Sequence, residues 1–157
     1  MYKKLKLYID TSIWNIALET DRDEHILTHD FFEVYGNSKN NLLVISEVVE
    51  VEINRAYDTR RKQLLRLIEK YKPEVLIPSN EAYNLAKIYI SEGLMSANAI
   101  NDAIHIAIAS LNHCDFIVSW NFKHIVRAKT IKGVHVINLR EGYSLIEIVS
   151  PREFISK

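Results

Sequence analysis

Three carboxylates in this 157-residue chain stand where folding alone gives them little reason to be. Asp10 ends the apolar run "KLYI", Glu52 falls inside an apolar helix stripe, and Asp102 lies in the first turns of a helix that is otherwise apolar on every side. Asn121 follows a second apolar run much as Asp10 follows the first. Unpaired acids brought to one place repel, and each pushes the other's pKa upward. A hard divalent cation removes that conflict, and an all-oxygen donor set selects Mg2+ or Mn2+ over zinc. The chemistry expected of such a centre is in-line hydrolysis of a phosphodiester, with ions ~4 Å apart where two are bound.

Other chemistries find less support. Cys114 is the only cysteine, so an internal disulfide and a cysteine-based zinc cluster are both excluded, which suits a reducing cytoplasm. The four glycines, at 36, 93, 133 and 142, are scattered and form no phosphate-binding loop, which argues against a nucleotide cofactor. A haloacid-dehalogenase-type phosphatase also opens on a strand ending in Asp but needs a second acid two residues on, where this chain has Ser12. Lys plus Arg number 20 and Asp plus Glu number 20, so only local patches bear on nucleic-acid binding. The start "MYKKLKLYID" is too short an apolar run for a signal peptide or a membrane span, so a soluble protein is expected.

The elements that must position these side chains follow from periodicity. Short β-type runs occur at 5–9, 42–45, 74–77, 115–119, 134–139 and 145–149, most of them separated by longer amphipathic stretches. This alternation predicts an α/β domain with a parallel sheet and helices on both faces, one domain over 1–157. Sites in such sheets gather at the carboxyl ends of strands. Asp10 is expected there, with Thr11 and Ser12 able to cap the next helix; Asp10 is alternatively a cap or turn residue itself.

Over 45–57 a turn of 100° per residue puts Ile45, Val48, Val49, Ile53 and Ala56 on one stripe, with Glu52 among them. Glu47, Glu50 and Asn54 point the other way. A carboxylate among valines needs compensation, from a cation or from an arginine such as Arg55. Over 95–113, Asp102 sits after the candidate caps Ser96 and Asn98, where the helix dipole alone also favours an acid. His105 and His113, eight residues apart, do not have a metal-ligand spacing and read as ordinary polar contacts. Asp115 stands six residues before Asn121 on the same predicted strand, about 20 Å away at a strand's rise, too far to replace it.

Trp120 and Phe122 read either as a base-stacking platform or as core, and Lys123 and His124 as phosphate contacts or a solvated helix start. The basic residues Arg60, Arg61, Lys62 and Arg66 lie on a helix with an apolar stripe of Leu64, Leu65, Leu67 and Ile68. That arm fits RNA phosphates and a dimer or antitoxin surface equally well, and plain packing as a solvated helix fits about as well as those two together.

The segments "YIDTSIWN", "ISEVVEVEI", "NDAIHIAIA" and "IVSWNFKHI", in that order, resemble the four motifs of the PIN-domain ribonucleases, in particular the VapC-like toxins of toxin–antitoxin pairs. The resemblance spans nearly the whole chain and implies a three-layer α/β/α fold with a central, mostly parallel sheet. It implies Asp10, Glu52 and Asp102 as ligands of Mg2+ or Mn2+, and Asn121 as a catalytic position where many members carry an acid. It further implies an endoribonuclease acting on an RNA substrate, a small antitoxin protein as partner, and a homodimer. The alternative is a PIN-like module that binds RNA or protein without cutting, disarmed by Asn121.

Overall fold

The structure, a computed structural model, describes residues 4–155. Five strands form one sheet: β1 (Leu5–Ile9), β2 (Asn41–Ser46), β3 (Glu74–Leu76), β4 (Phe116–Val118) and β5 (Glu147–Val149). Their order is β3-β2-β1-β4-β5, and every pairing is parallel. The chain therefore builds outward from β1 to one edge, then crosses back and builds to the other. The reversal falls between β1 and β4, the kind of switch point where such sheets open a crevice for ligands. Register aligns Ile9 with Val118, which brings Asp10 beside Ser119.

The helices are α1 (Thr11–Ile16), α2 (Glu24–Phe31, continued by a π-helical turn at Phe32–Gly36), α3 (Glu47–Asn54), α4 (Asp58–Tyr71), α5 (Asn80–Ser91), α6 (Ile100–Leu111, after a 3-10 turn at Ala97–Ala99), α7 (Ala128–Glu141) and α8 (Arg152–Ile155). Right-handed crossovers put α1 to α4 on one face of the sheet and α5 to α7 on the other. The packing agrees, with α1 against α2, α3 and α4, and α5 against α6 and α7. This is the three-layer arrangement expected. Strands covered on both sides are mainly apolar, and Leu7, Tyr8 and Ile9 are fully buried. On the first face Trp14 packs on Phe32, which stacks on Tyr71 at 4.5 Å between ring centres.

The run "VHVINL", 134–139, is not a strand but the second half of α7. Its alternation is real, but the buried residues Thr130, Val134, Ile137 and Asn138 recur at helical spacing, and the apolar Val136 and Leu139 beside them face solvent. Gly142, with φ 81°, ends the helix in the left-handed conformation that glycine adopts at no steric cost. The run at 145–149 is a strand, shortened to Glu147–Val149. No helix among the described residues is long and apolar enough to cross a membrane.

Candidate functional site

Asp10 continues β1 by one residue, and its N–H still donates to Val118 O at 3.1 Å. It is the N-cap of α1: its carboxylate accepts from Ser12 N, so Thr11 and Ser12 are the first residues of the helix and not its caps. An aspartate serves there because its short side chain reaches the free N–H groups of the first turn. Oδ2 also accepts from Ser12 Oγ at 2.8 Å and from Ser119 Oγ at 2.7 Å. Those hydroxyls accept in turn from Trp120 N and Asn121 N, both at 2.9 Å, and so stitch the ends of β1 and β4 together. Asp10 is only 4% exposed.

Glu52 comes from α3, which Ser46 caps by accepting from Val48 N. As the stripe predicts, Glu52 turns inward while Glu47 and Glu50 are exposed. Its Oε1 accepts from Thr11 Oγ1 at 3.0 Å and lies 2.6 Å from His105 Nε2. Burial is the largest single influence on this carboxyl and pushes its pKa up. The His105 hydrogen bond and charge, with the Thr11 bond, outweigh burial and hold it below the ordinary range. Arg55, the compensating cation suggested by sequence, contributes only a minor attraction.

Asp102 lies in the first turn of α6. Neither Ser96 nor Asn98 caps that helix; Ser96 precedes the 3-10 turn and makes no side-chain capping bond. The Asp102 carboxyl is raised above its usual pKa, first by burial and then by the charge of Asp10, while His105 and His124 oppose the rise. No hydrogen bond compensates it among the described residues.

His105, read from sequence as an ordinary polar contact, is instead at the centre. It is 1% exposed, and its Nε2 bonds to Glu52 and stands 3.6 Å from Asp10 Oδ1. Its Nδ1 is 2.6 Å from Tyr8 Oη, which also lies 2.7 Å from Ser46 Oγ. Burial lowers the imidazole pKa most strongly, yet the Glu52 bond and the charges of Asp10, Glu52 and Asp102 leave it raised. The signal for it was a lone histidine within the apolar run 103–109 of that helix, three residues after Asp102, because a buried ring must find polar partners. His113 is an exposed contact to Ser144 Oγ, as expected.

Asn121 begins the turn after β4. Its side-chain oxygen accepts from His124 N at 2.9 Å, leaving one lone pair of that carbonyl. Trp120 is core, donating from its indole to Thr28 Oγ1, so it offers no stacking platform; Phe122 beside it is half exposed. Asp115 precedes β4 at the amino end of the sheet and accepts from Lys6 N, remote from the acids as expected. Along α4, Arg60 pairs with Glu19, and Arg61 and Lys62 both pair with Asp58, so much of that arm's positive charge is locally neutralised.

A family model described as PIN domain matches residues 7–125, most of the chain. The chain belongs to the PIN domain family. Solved structures resemble this PIN domain in fold. VapBC2 from Rickettsia felis, bound to a DNA fragment from its promoter, aligns at 17% identity and a TM-score of 0.60, covering 93% of this chain and 98% of that one. VapBC-1 from nontypeable Haemophilus influenzae aligns at 14% identity and 0.60, covering 94% and 98%. VapC20 of Mycobacterium tuberculosis, described as a Sarcin-Ricin loop cleaving toxin, aligns at 10% identity and 0.58, covering 75% and 92%. None of the curated proteins matches the sequence.

The donors fit a hard divalent cation in type and charge. Asp10 Oδ1, the second oxygen of Glu52 and the Asp102 carboxylate accept no hydrogen bond among the described residues, and burial together with the charge of Asp10 raises the Asp102 carboxyl, a conflict that a cation would relieve. The side chains are drawn in on His105 and the serines. Among the described residues no three His, Cys, Asp or Glu side chains form a ready metal-holding cluster.

Proposed function

We propose that this PIN domain is a metal-dependent endoribonuclease, the toxin of a toxin–antitoxin pair. The observation that supports the reading is that Asp10 and Glu52 both face one buried imidazole, His105, at the sheet's switch point, with Asp102 three residues earlier on the same helix. In this reading Asp10, Glu52 and Asp102 hold Mg2+ or Mn2+. The bound cation supplies a water of lowered pKa and neutralises charge on the phosphate.

The chain's own groups prepare that site. Ser12 and Ser119 fix the Asp10 carboxylate by occupying Oδ2, which leaves Oδ1, 3.6 Å from His105 Nε2, without a hydrogen bond among the described residues. Thr11 donates to Glu52 from the first turn of α1, so the strand that carries Asp10 also orients the second acid. Asn121 is a catalytic position at the site's edge, tied to Asp10 through Ser119.

VapC20 supports RNA as the substrate class, and the VapBC complexes support a small antitoxin as the partner. A homodimer and a cytoplasmic location complete the reading. The second reading, a module that binds without cutting, draws on Asn121 in place of an acid. Purified protein incubated with RNA and Mg2+ or Mn2+, with and without EDTA, decides between them. Cleavage that requires metal and disappears in Asp10→Asn is expected; cleavage that persists in that variant overturns the nuclease assignment. In a bacterial host, expression of the wild-type chain should slow growth and that of Asp10→Asn should not.

A further inference from the structure

We propose that His105 is a positioning residue that aims Glu52 at the metal, an inference that rests on the metal-site reading above. The ring is enclosed and both its nitrogens are engaged, with Tyr8 Oη at 2.6 Å from Nδ1 and Glu52 Oε1 at 2.6 Å from Nε2. It therefore has no free nitrogen with which to be a ligand itself. Its partners trace a closed circuit. Tyr8 Oη reaches Ser46 Oγ, Ser46 caps α3, and α3 carries Glu52. The imidazole thus spans from the start of α3 to a side chain in its second turn, with the rigid central strand β1 as the anchor.

That circuit does what a long carboxylate needs. A glutamate with 27% of its side chain exposed would otherwise sample several rotamers, and ordering it on metal binding would cost affinity. Held at Oε1 by His105 and Thr11, it presents Oε2 in one place. Asp102 sits one helical turn before His105 on the same face of α6, so the helix that supplies the third acid also aims the second. Partners of ligating carboxylates typically set metal affinity in this manner.

The test uses the full-length chain and Mn2+ alone, with free Mn2+ followed by its EPR signal. His105→Asn keeps a polar group where Nδ1 meets Tyr8 but cannot reach Glu52; His105→Gln extends an amide N–H to the place of Nε2. His105→Asn is expected to weaken Mn2+ binding by about 10–100-fold, with His105→Gln close to wild type. Equal affinity in all three proteins, or equal loss in both variants, overturns the inference while leaving the metal site standing. Absence of Mn2+ binding by the wild-type protein overturns the metal-site reading and this inference together. Should either variant fail to fold, Tyr8→Phe carries the test, since it preserves volume in β1 and removes the hydroxyl that ties the ring to Ser46. Weaker Mn2+ binding is expected there, and unchanged binding overturns the inference.

Discussion

Ser119 donates to Asp10 across the boundary between β1 and β4, 2.7 Å from hydroxyl to carboxylate, although 109 residues separate them in sequence. Both groups are buried, so no water stands ready to replace the bond. Ser119→Ala should lower stability by about 1–3 kcal/mol, the usual cost of depriving a buried charged acceptor of a donor. Urea unfolding of the metal-free protein measures it, and an unchanged midpoint would show that Ser12 alone satisfies Asp10.

The two glutamates of α3 should behave differently. Glu52→Gln removes the charge that faces His105 and should reduce metal-dependent RNA cleavage roughly a hundredfold or more, the scale of losing a charge partner at a reacting centre. Glu50→Gln, on the exposed side of the same helix, should leave the rate near wild type. Comparable losses in the two variants would count against the inward assignment of Glu52.

Asp102 gives a pH dependence of known sign. Its pKa in the folded chain is raised, by burial first and by Asp10 second, so the folded state holds that proton more tightly than the unfolded state does. The stability this contributes is present below the unfolded value of about 3.9 and is lost as pH rises through the folded value. Without metal, Asp102→Asn should therefore be more stable than wild type at pH 7, and the difference should shrink as the pH falls into the acid range. Thermal melts of both proteins across that range check it; a wild-type advantage at pH 7 without metal contradicts the burial argument.

Asn121→Asp should lower the Mg2+ concentration for half-maximal cleavage, because an added acid raises the site's charge from −3 to −4 on Asp10, Glu52, Asp102 and residue 121. Mg2+ titrations of the two proteins give the comparison. Superimposable curves would mean that position 121 takes no part in metal binding and that its oxygen serves only to accept from His124 N.

Asp10 and Glu52 were legible in the sequence for separate reasons: one ends an apolar run at a strand terminus, the other breaks an apolar stripe. Both signals are local. His105 was not legible in its role, because its partners Tyr8 and Glu52 stand 97 and 53 residues away and only the folded sheet brings them together. The segment 134–139 misled for the opposite reason. Its local alternation imitates a strand, and tertiary burial at Thr130, Val134, Ile137 and Asn138 selects the helix. The bonds from Ser12, expected only as a cap, and from Ser119 to Asp10 were not legible, because a serine's hydroxyl gains meaning only from the acid it faces.

The strand order β3-β2-β1-β4-β5 also has a consequence for biosynthesis. Asp10 and Glu52 leave the ribosome early, but Asp102, His105 and the serine that closes Asp10 follow only with α6 and β4. Until β4 can pair with β1, the nascent chain lacks half the groups about its acids. Domains complete as units during synthesis, N-terminal portions appearing first. The chain thus carries no assembled centre for most of the time it is being made, and acquires one only when its fourth strand slots in beside its first.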